Sequence, residues 1–139
     1  MSGLEDNNSQ SERLRRVLSH WKEICRGDKE FVFLGDANIC AFKWNDDNYS
    51  LSEHAGLVQE FLLETSGSQI VDKYTRSEVV RGGNISHTCI DHCYTNIPDK
   101  VSIPEVHSVG DSDHKGVVVT KYSRQIIDRP KTLLKRSNK

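Results

Sequence analysis

The chain has 139 residues, enough for one domain with a core of ordinary size. Its 19 lysines and arginines nearly balance its 20 aspartates and glutamates, and only 35% of its residues are hydrophobic. We therefore expect part of the chain to be loosely packed. Residues 2–11 are polar and no run is apolar enough to span a bilayer, so we expect an intracellular protein with no membrane partner.

The charge is unevenly distributed along the chain. Residues 121–139 hold seven basic residues and one acidic residue, a net charge of +6, so the rest of the chain carries −7. A basic tail on an acidic body indicates either a contact with a polyanion or a solvated linker. We predict a linker-like tail over residues 123–139, following a single domain at residues 11–122.

The first predicted elements are a helix and a strand. We expect residues 1–10 to be disordered and a capping box of Ser9 and Glu12 to start an amphipathic helix that stops before Gly27. The apolar residues 31–34 predict a central strand buried on both faces. Asp36 and Asn38 follow it and would project to the same side of an extended chain, although both types also favour ordinary turns.

The middle of the chain predicts a second helix, a long loop and a further strand. Ser50 and Glu53 fit another capping box, with a helix ending near Gly67, and residues 69–71 are a candidate short strand. We expect a loop over residues 72–87 and a strand over residues 88–95.

Asp91 is an unusual member of the strand at residues 88–95. Alternation puts it on the same side as two cysteines, and a buried carboxylate needs a partner. His114 is a candidate partner, because an Asp–His pair fixes the imidazole tautomer. The alternative is that Asp91 faces solvent on an edge strand.

Residues 110–116 crowd polar groups between two glycines, directly before the valines at 117–119. The valines predict a buried strand, and residues 101–109 predict an irregular edge strand interrupted by Pro104. Asp113 offers a hard oxygen ligand beside His114, which titrates near neutral pH. On this stretch alone, a solvated turn before the strand is the favoured interpretation.

Several stretches together are more specific than any one of them. They are residues 33–38 (Phe-Leu-Gly-Asp-Ala-Asn), residues 69–71 with Thr75 and Arg76, residues 90–96 (Ile-Asp-His-Cys-Tyr-Thr-Asn), and residues 110–115 (Gly-Asp-Ser-Asp-His-Lys). Their order and spacing resemble the second half of the endonuclease/exonuclease/phosphatase superfamily, the fold of DNase I. Within it, they are most similar to the endonuclease domains of non-LTR (LINE-type) retrotransposon polyproteins. The tail at residues 129–137 resembles the linker before reverse transcriptase.

The resemblance implies an α/β fold: part of a four-layered, DNase I-like sandwich, mainly one of its two sheets with the flanking helices. The first half of such a domain supplies an Asn and a metal-binding Glu, and no stretch of this chain matches those motifs. The resemblance therefore implies a fragment that is incomplete as a catalyst. Its implied partners are DNA, a reverse transcriptase domain and the missing half, and its implied place of action is the nucleus.

The resemblance also implies roles for single residues in magnesium-dependent phosphodiester hydrolysis. Asp36 would orient or deprotonate the attacking water, and Asn38 would hydrogen-bond that water or a phosphate oxygen. His114 would contact a phosphate oxygen, with Asp91 behind it. Asp113 would bind Mg²⁺. Arg76 and Lys115 would contact nucleic acid.

Three other functions remain open at this point. The chain could be a degenerate, noncatalytic remnant that keeps the site residues. It could be a phosphatase or phosphodiesterase of the same superfamily, or a nucleic-acid-binding module that uses its basic tail.

Overall fold

The computed structural model describes residues 3–123 of the chain, with side chains from Ser9 onward. The basic tail predicted for residues 123–139 lies outside the described residues except for Ser123. Within the described part, no helix is both long enough and apolar enough to cross a bilayer.

Two α-helices, one short 3-10 helix and seven strands make up the described part. The helices are α1 (Gly3–Ile24), α2 (Ser52–Glu64) and the 3-10 helix (Pro98–Lys100). The strands are β1 (Val32–Asp36), β2 (Ser68–Gln69), β3 (Arg76–Val79), β4 (Ile85–Thr88), β5 (Asp91–Thr95), β6 (Glu105–Ser108) and β7 (Lys115–Val118).

Both helices start at positions other than those predicted. The structure has α1 from Gly3, although residues 1–10 were expected to be disordered and Ser9 was expected to cap the helix. Residues 3–8 contain no proline and no β-branched residue, and their two acids favour a helix N-terminus. In α2, Leu51 occupies the N-cap position without a side-chain hydrogen bond, so the capping box predicted at Ser50 is not formed.

The largest sheet has the order β1-β5-β2, and both pairings are antiparallel. The prediction that residues 31–34 form a central strand buried on both faces was wrong, because β5 occupies the centre and β1 lies at an edge. Phe33 on β1 packs against Trp21 of α1, with ring centroids 4.5 Å apart. Leu34 points the other way and is 52% exposed.

The segment predicted as a loop at residues 72–87 is mostly a β-hairpin. Strands β3 and β4 pair antiparallel, and Gly82 and Gly83 make the turn with positive φ angles that other residues adopt with strain. The strand predicted for residues 88–95 is divided in two, because the chain crosses between sheets at Cys89 and Ile90. The strand predicted at the valines forms as β7 and pairs with β6, but it is not buried as predicted: Val117 is half-buried and Val118 is 47% exposed.

The core consists of two hydrophobic clusters. The larger one joins α1, α2 and β1 and is rich in aromatic rings. The smaller one contains Val71 and three buried cysteines, Cys40, Cys89 and Cys93. Burial raises the pKa of Cys89 to about 12 and that of Cys93 to about 11, so both thiols stay neutral and act as apolar filling.

His92 connects the two core clusters through hydrogen bonds. Its side chain is buried on β5, where Nε2 donates to the carbonyl of Cys89 (3.0 Å) and the Tyr94 hydroxyl donates to Nδ1 (2.8 Å). Both ring nitrogens are satisfied only by the neutral imidazole in this arrangement. Burial accordingly lowers the pKa of His92.

We predict that His92 makes the fold less stable in acid. The unfolded chain binds the proton near pH 6.5, whereas folded His92 resists it, so the stability that it contributes is present above pH 6.5 and is lost as the pH falls toward its lower folded pKa. The free energy of unfolding can be measured with urea between about pH 7.5 and about pH 5, roughly one pH unit or more on each side of pH 6.5. It should depend less steeply on pH in His92→Gln than in wild type. His20→Gln, at an exposed position, is the matched control and should retain the wild-type slope.

Candidate functional site

Two carboxylates face each other at one end of the largest sheet. Asp36 is the last residue of β1 and Asp91 is the first residue of β5, and the antiparallel register makes them direct cross-strand partners. Like charges in this arrangement repel each other, so the pair needs a compensating group.

His114 supplies that group, from the residue immediately before β7. Its Nδ1 lies 3.1 Å from Asp91 Oδ2, and its Nε2 lies 3.9 Å from Asp36 Oδ2. Within the described residues, these three side chains are the one group of acidic, histidine or cysteine residues whose ligand atoms all lie within 4.8 Å of one another. The structure therefore brings Asp36, Asp91 and His114 together, with one carboxylate at each ring nitrogen.

The orientation of the ring follows from these contacts. Asp91 accepts a hydrogen bond from Nδ1–H of His114, which leaves Nε2 directed toward Asp36. The Asp91 side chain is the least exposed of the three, and those of Asp36 and His114 are more open to solvent. The open side of the cluster thus carries a carboxylate oxygen and a ring nitrogen, the two groups that a substrate would meet.

Thr75 holds the cluster in place, a role that was not predicted although Thr75 is among the residues that carry the resemblance. Its side chain is fully buried, and its Oγ1 accepts hydrogen bonds from the backbone N–H groups of Ile90 and Asp91, each at 3.0 Å. Its carbonyl accepts the N–H of Lys115 at 2.7 Å. One residue thereby ties the start of β5 to the start of β7, which are the segments that carry Asp91 and His114.

Asp113 and Arg76 face each other instead of the cluster. Arg76 Nε donates to Asp113 Oδ2 at 3.0 Å, and Arg76 Nη2 lies 2.9 Å from Glu78. Hydrogen bonding to Arg76 holds the pKa of Asp113 below its usual value. Asp36 and Asp91 therefore lie at the imidazole of His114, whereas Asp113, to which the resemblance gave a metal-binding role, does not. The guanidinium of Arg76, predicted to contact nucleic acid, is engaged by two acids.

Asn38 lies beside Asp36 for a different reason from the one predicted. The strand ends at Asp36, and Asn38 adopts a left-handed conformation with φ of 55°, so strand alternation does not apply to the pair. Instead, the backbone N–H of Asn38 donates to Asp36 Oδ1 at 2.9 Å, which fixes that carboxylate. The Asn38 side chain is exposed, and Lys115 is half-buried at the start of β7.

The donor set suits a hard divalent cation. Mg²⁺ prefers carboxylate oxygens, is commonly held by one or two of them, and takes its other ligands from water and phosphate. Asp36 Oδ2 is partly exposed at the open side of the cluster, while Oδ1 of the same group is fixed by Asn38. Asp36 therefore fits as a donor, whereas Asp113 would have to leave Arg76 to become one.

Comparison with known proteins identifies the fold. No protein-family model matches the chain, and no curated protein matches it. Among solved structures, it is similar to the endonuclease domain of TRAS1, a telomere-specific non-LTR retrotransposon, with 22% sequence identity and a TM-score of 0.58. The match covers 85% of this chain and 52% of that chain, so this chain spans about half the length of the domain that it resembles.

We predict that Thr75→Val destabilises the fold although it preserves the side-chain shape. The substitution removes the acceptor of two backbone N–H groups, that of Ile90, which is buried, and that of Asp91, which is partly buried, and an unsatisfied buried group costs about 1–3 kcal/mol. Urea denaturation at neutral pH would measure the loss. Thr75→Ser keeps the acceptor and should recover most of the stability, so equal stability of the Val and Ser variants would contradict this role.

Proposed function

We propose that the chain serves as half of a metal-dependent DNA endonuclease that nicks DNA for retrotransposition. Its described residues have the mixed α/β architecture expected of a partial DNase I-like fold, with two α-helices and several antiparallel sheets. The observation that carries the proposal is the Asp36–His114–Asp91 cluster at the rim of the sheet.

The proposed reaction is hydrolysis of a phosphodiester by water, in which His114 binds the phosphate. The Nε2 face of the ring contacts a non-bridging phosphate oxygen and offsets the charge that develops there. Asp91 accepts the Nδ1–H bond and keeps the ring in this orientation. Asp91 is thus a positioning residue, because it acts through His114.

Asp36 and Asn38 act on the attacking water in this proposal. The Asp36 carboxylate orients the water or takes its proton, and the Asn38 carboxamide hydrogen-bonds the same water or a phosphate oxygen. Mg²⁺, when bound, supplies charge neutralisation and stabilises the leaving oxygen. Asp36 is the donor of the cluster that would hold it, and Asp113 is the second proposed ligand.

The proposed partner is the other half of the fold, docked along β1. Among the described strands β1 pairs only with β5, so its second edge is free. A groove of about 530 Å³ runs between α1 and this strand and ends at Asp36 and Asn38. Its apolar lining includes Leu14, Val17, Trp21, Phe33 and Leu34.

A strand is the occupant that this groove fits best. Backbone groups of an edge strand are unpaired, and an added strand satisfies them while covering apolar side chains. About half of the TRAS1 domain has no counterpart in this chain, and an equivalent of that part would be large enough to include such a strand. A strand seated there would end next to Asp36, where it could add ligands for the metal.

The remaining partners follow from the same proposal. DNA is the substrate, with Lys115 and Arg76 as the proposed contacts once Arg76 is released from its acids. A reverse transcriptase domain would follow the basic tail, and the site of action would be the nucleus. A noncatalytic remnant is the second candidate, because the chain matches only 52% of the TRAS1 chain.

A plasmid-nicking assay tests the proposal directly. We expect the chain, when combined with the other half of the fold, to relax supercoiled plasmid in Mg²⁺ and to be inactive in EDTA, with Asp113→Ala as the inactive control. Asp91→Asn should slow nicking about 10²-fold or more, as expected for loss of one oriented group that stabilises the developing charge, without changing the Mg²⁺ concentration required. The absence of nicking by the completed wild-type fold would favour the remnant, and an unchanged pH–rate profile for Asp91→Asn would contradict the role of Asp91.

Thermal denaturation tests the metal site without relying on activity. We predict that millimolar Mg²⁺ raises the Tm of the wild-type chain, because a ligand that binds only the folded state stabilises it. The shift should shrink in Asp36→Asn, which removes the open carboxylate of the cluster. Glu105→Gln, an exposed acid on β6, is the control and should retain the full shift. A full shift in Asp36→Asn would contradict a metal at this cluster.

A further inference from the structure

Arg76 and Asp113 form an ion pair in which each side chain occupies a group that the proposed reaction needs. Asp113 is the second proposed metal ligand, and Arg76 is a proposed contact for DNA. Arg76 Nε donates a hydrogen bond to Asp113 Oδ2 at 3.0 Å. While this bond lasts, the Oδ2 atom is not offered to a metal ion and the Nε–H group is not offered to a phosphate. The pair therefore withholds a metal ligand and a phosphate donor at the same time.

The pair lies next to the acid–imidazole cluster. Arg76 and His114 form an antiparallel backbone bridge, and Asp113 directly precedes His114 in the chain. Hydrogen bonding to Asp113 raises the pKa of Arg76, and the negative charges of Glu78, Asp113 and Asp36 add to this rise. The guanidinium is thus within the electrostatic reach of Asp36, so a change of partner at Asp113 takes place beside the carboxylate proposed to hold the metal.

The main chain around the pair is fixed, whereas the side chain of Asp113 is not enclosed. The N–H of Ser77 donates to the carbonyl of Asp113 at 3.1 Å, and the N–H of Lys115 donates to the carbonyl of Thr75 at 2.7 Å. The Asp113 side chain, by contrast, is 49% exposed. Asp113 can therefore leave Arg76 by rotation of its side chain, without movement of the strands.

Glu78 allows Arg76 to lose Asp113 without losing its position. Arg76 Nη2 lies 2.9 Å from Glu78 Oε2, and both residues are on β3, where residues two apart point to the same side. The three side chains carry two negative charges and one positive charge. One acid can leave and the guanidinium is still paired, so Glu78 is the partner that retains Arg76 at the site.

The strength of the pair suits a contact that is exchanged. The side chains of Arg76 and Asp113 are 31% and 49% exposed, and ion pairs that are open to solvent are weak because water competes for both charges. Mg²⁺ is a more compact and more highly charged cation than a guanidinium and prefers carboxylate oxygens. The Nε–H group that Asp113 leaves is suited to a phosphate oxygen, the acceptor that guanidinium groups bind well.

We propose that the Arg76–Asp113 pair couples metal binding to phosphate binding, because Mg²⁺ that takes Asp113 releases Arg76 for a phosphate, and a phosphate that takes Arg76 releases Asp113 for the metal. The proposal rests on the proposed function, since it describes the regulation of the same site. Such a coupling is reciprocal, so each ligand raises the affinity for the other by the same factor. With neither ligand bound, the pair forms and lowers the affinity of the site for both.

The affinity of the full chain for Mg²⁺ alone tests the metal side of the coupling. It is obtained from the dependence of Tm on metal concentration, with each variant compared with its own Tm in EDTA. Arg76→Gln should bind Mg²⁺ about two- to fivefold more tightly than wild type, the range for loss of one solvent-exposed ion pair that competes with the metal. Unchanged affinity would overturn the proposal.

A double variant separates the release of Asp113 from a general loss of positive charge. Arg76→Gln combined with Asp113→Asn should bind Mg²⁺ no more tightly than Asp113→Asn alone. A gain that persists without the Asp113 carboxylate would overturn the proposal, because it would come only from removing a cation near the site. Arg15→Gln is the matched control, since Arg15 is an exposed arginine that also pairs with two acids, and it should bind Mg²⁺ like wild type.

Fluorescence anisotropy with a labelled DNA duplex in EDTA tests the phosphate side. Asp113→Asn should bind the duplex about two- to fivefold more tightly than wild type at the same salt concentration, because Arg76 is released. The gain should disappear when Arg76→Gln is also present. A gain of the same size in the absence of Arg76 would overturn the proposal, because it would reflect only the loss of a negative charge.

These results can be distinguished from those of the nicking assay. Tighter Mg²⁺ binding by Arg76→Gln that depends on Asp113, without nicking by the completed fold, would overturn only the nuclease proposal. Nicking by the completed fold, with the same Mg²⁺ affinity in Arg76→Gln and wild type, would overturn only the coupling.

Discussion

The register between β1 and β5 is the constraint on which the candidate site depends. It sets Asp36 opposite Asp91, so that two carboxylates share one rim of the sheet. Such a pair is unfavourable alone, and His114 makes it tolerable by presenting one ring nitrogen to each acid. A shift of one residue in this register would turn one carboxylate to the other face and would separate it from the imidazole.

The Asp91–His114 pair could be predicted because it follows from two local rules. Strand alternation puts Asp91 on a partly buried side, and a buried carboxylate requires a partner. Asp113 does not join the pair, because it lies in a bend just before His114 and not in the extended part of β7. Its carboxylate accepts a hydrogen bond from Arg76 Nε at 3.0 Å instead. Strand alternation does not extend to this bend, so the contact with Arg76 could not be predicted from it.

Features that depend on distant contacts could not be predicted. Nothing in the run of residues 31–34 distinguishes a central strand from an edge strand, because the order of strands is set by which segments pair with β5. Thr75 is part of the sequence resemblance, but its structural role becomes visible only when the fold brings the N–H groups of Ile90 and Asp91 to its hydroxyl. Apolar content and turn residues therefore indicate where helices and strands lie along the sequence, but the pairing of distant segments determines the position and contacts of each one.

The contacts that form the cluster all lie within the described part of this chain. The β1–β5 register, the Thr75 hydrogen bonds and the Lys115 backbone contact fix Asp36, Asp91 and His114 without help from another segment. The second edge of β1 pairs with none of the described strands, and Leu34 on the same strand is exposed to solvent. The groups proposed to bind the phosphate and to orient the water are thus preformed here, and the proposed second half would have only to close the edge and complete the metal ligands. Preformed groups lose little conformational entropy on binding, and for this reason the cluster can persist in a chain that spans about half of the domain it resembles.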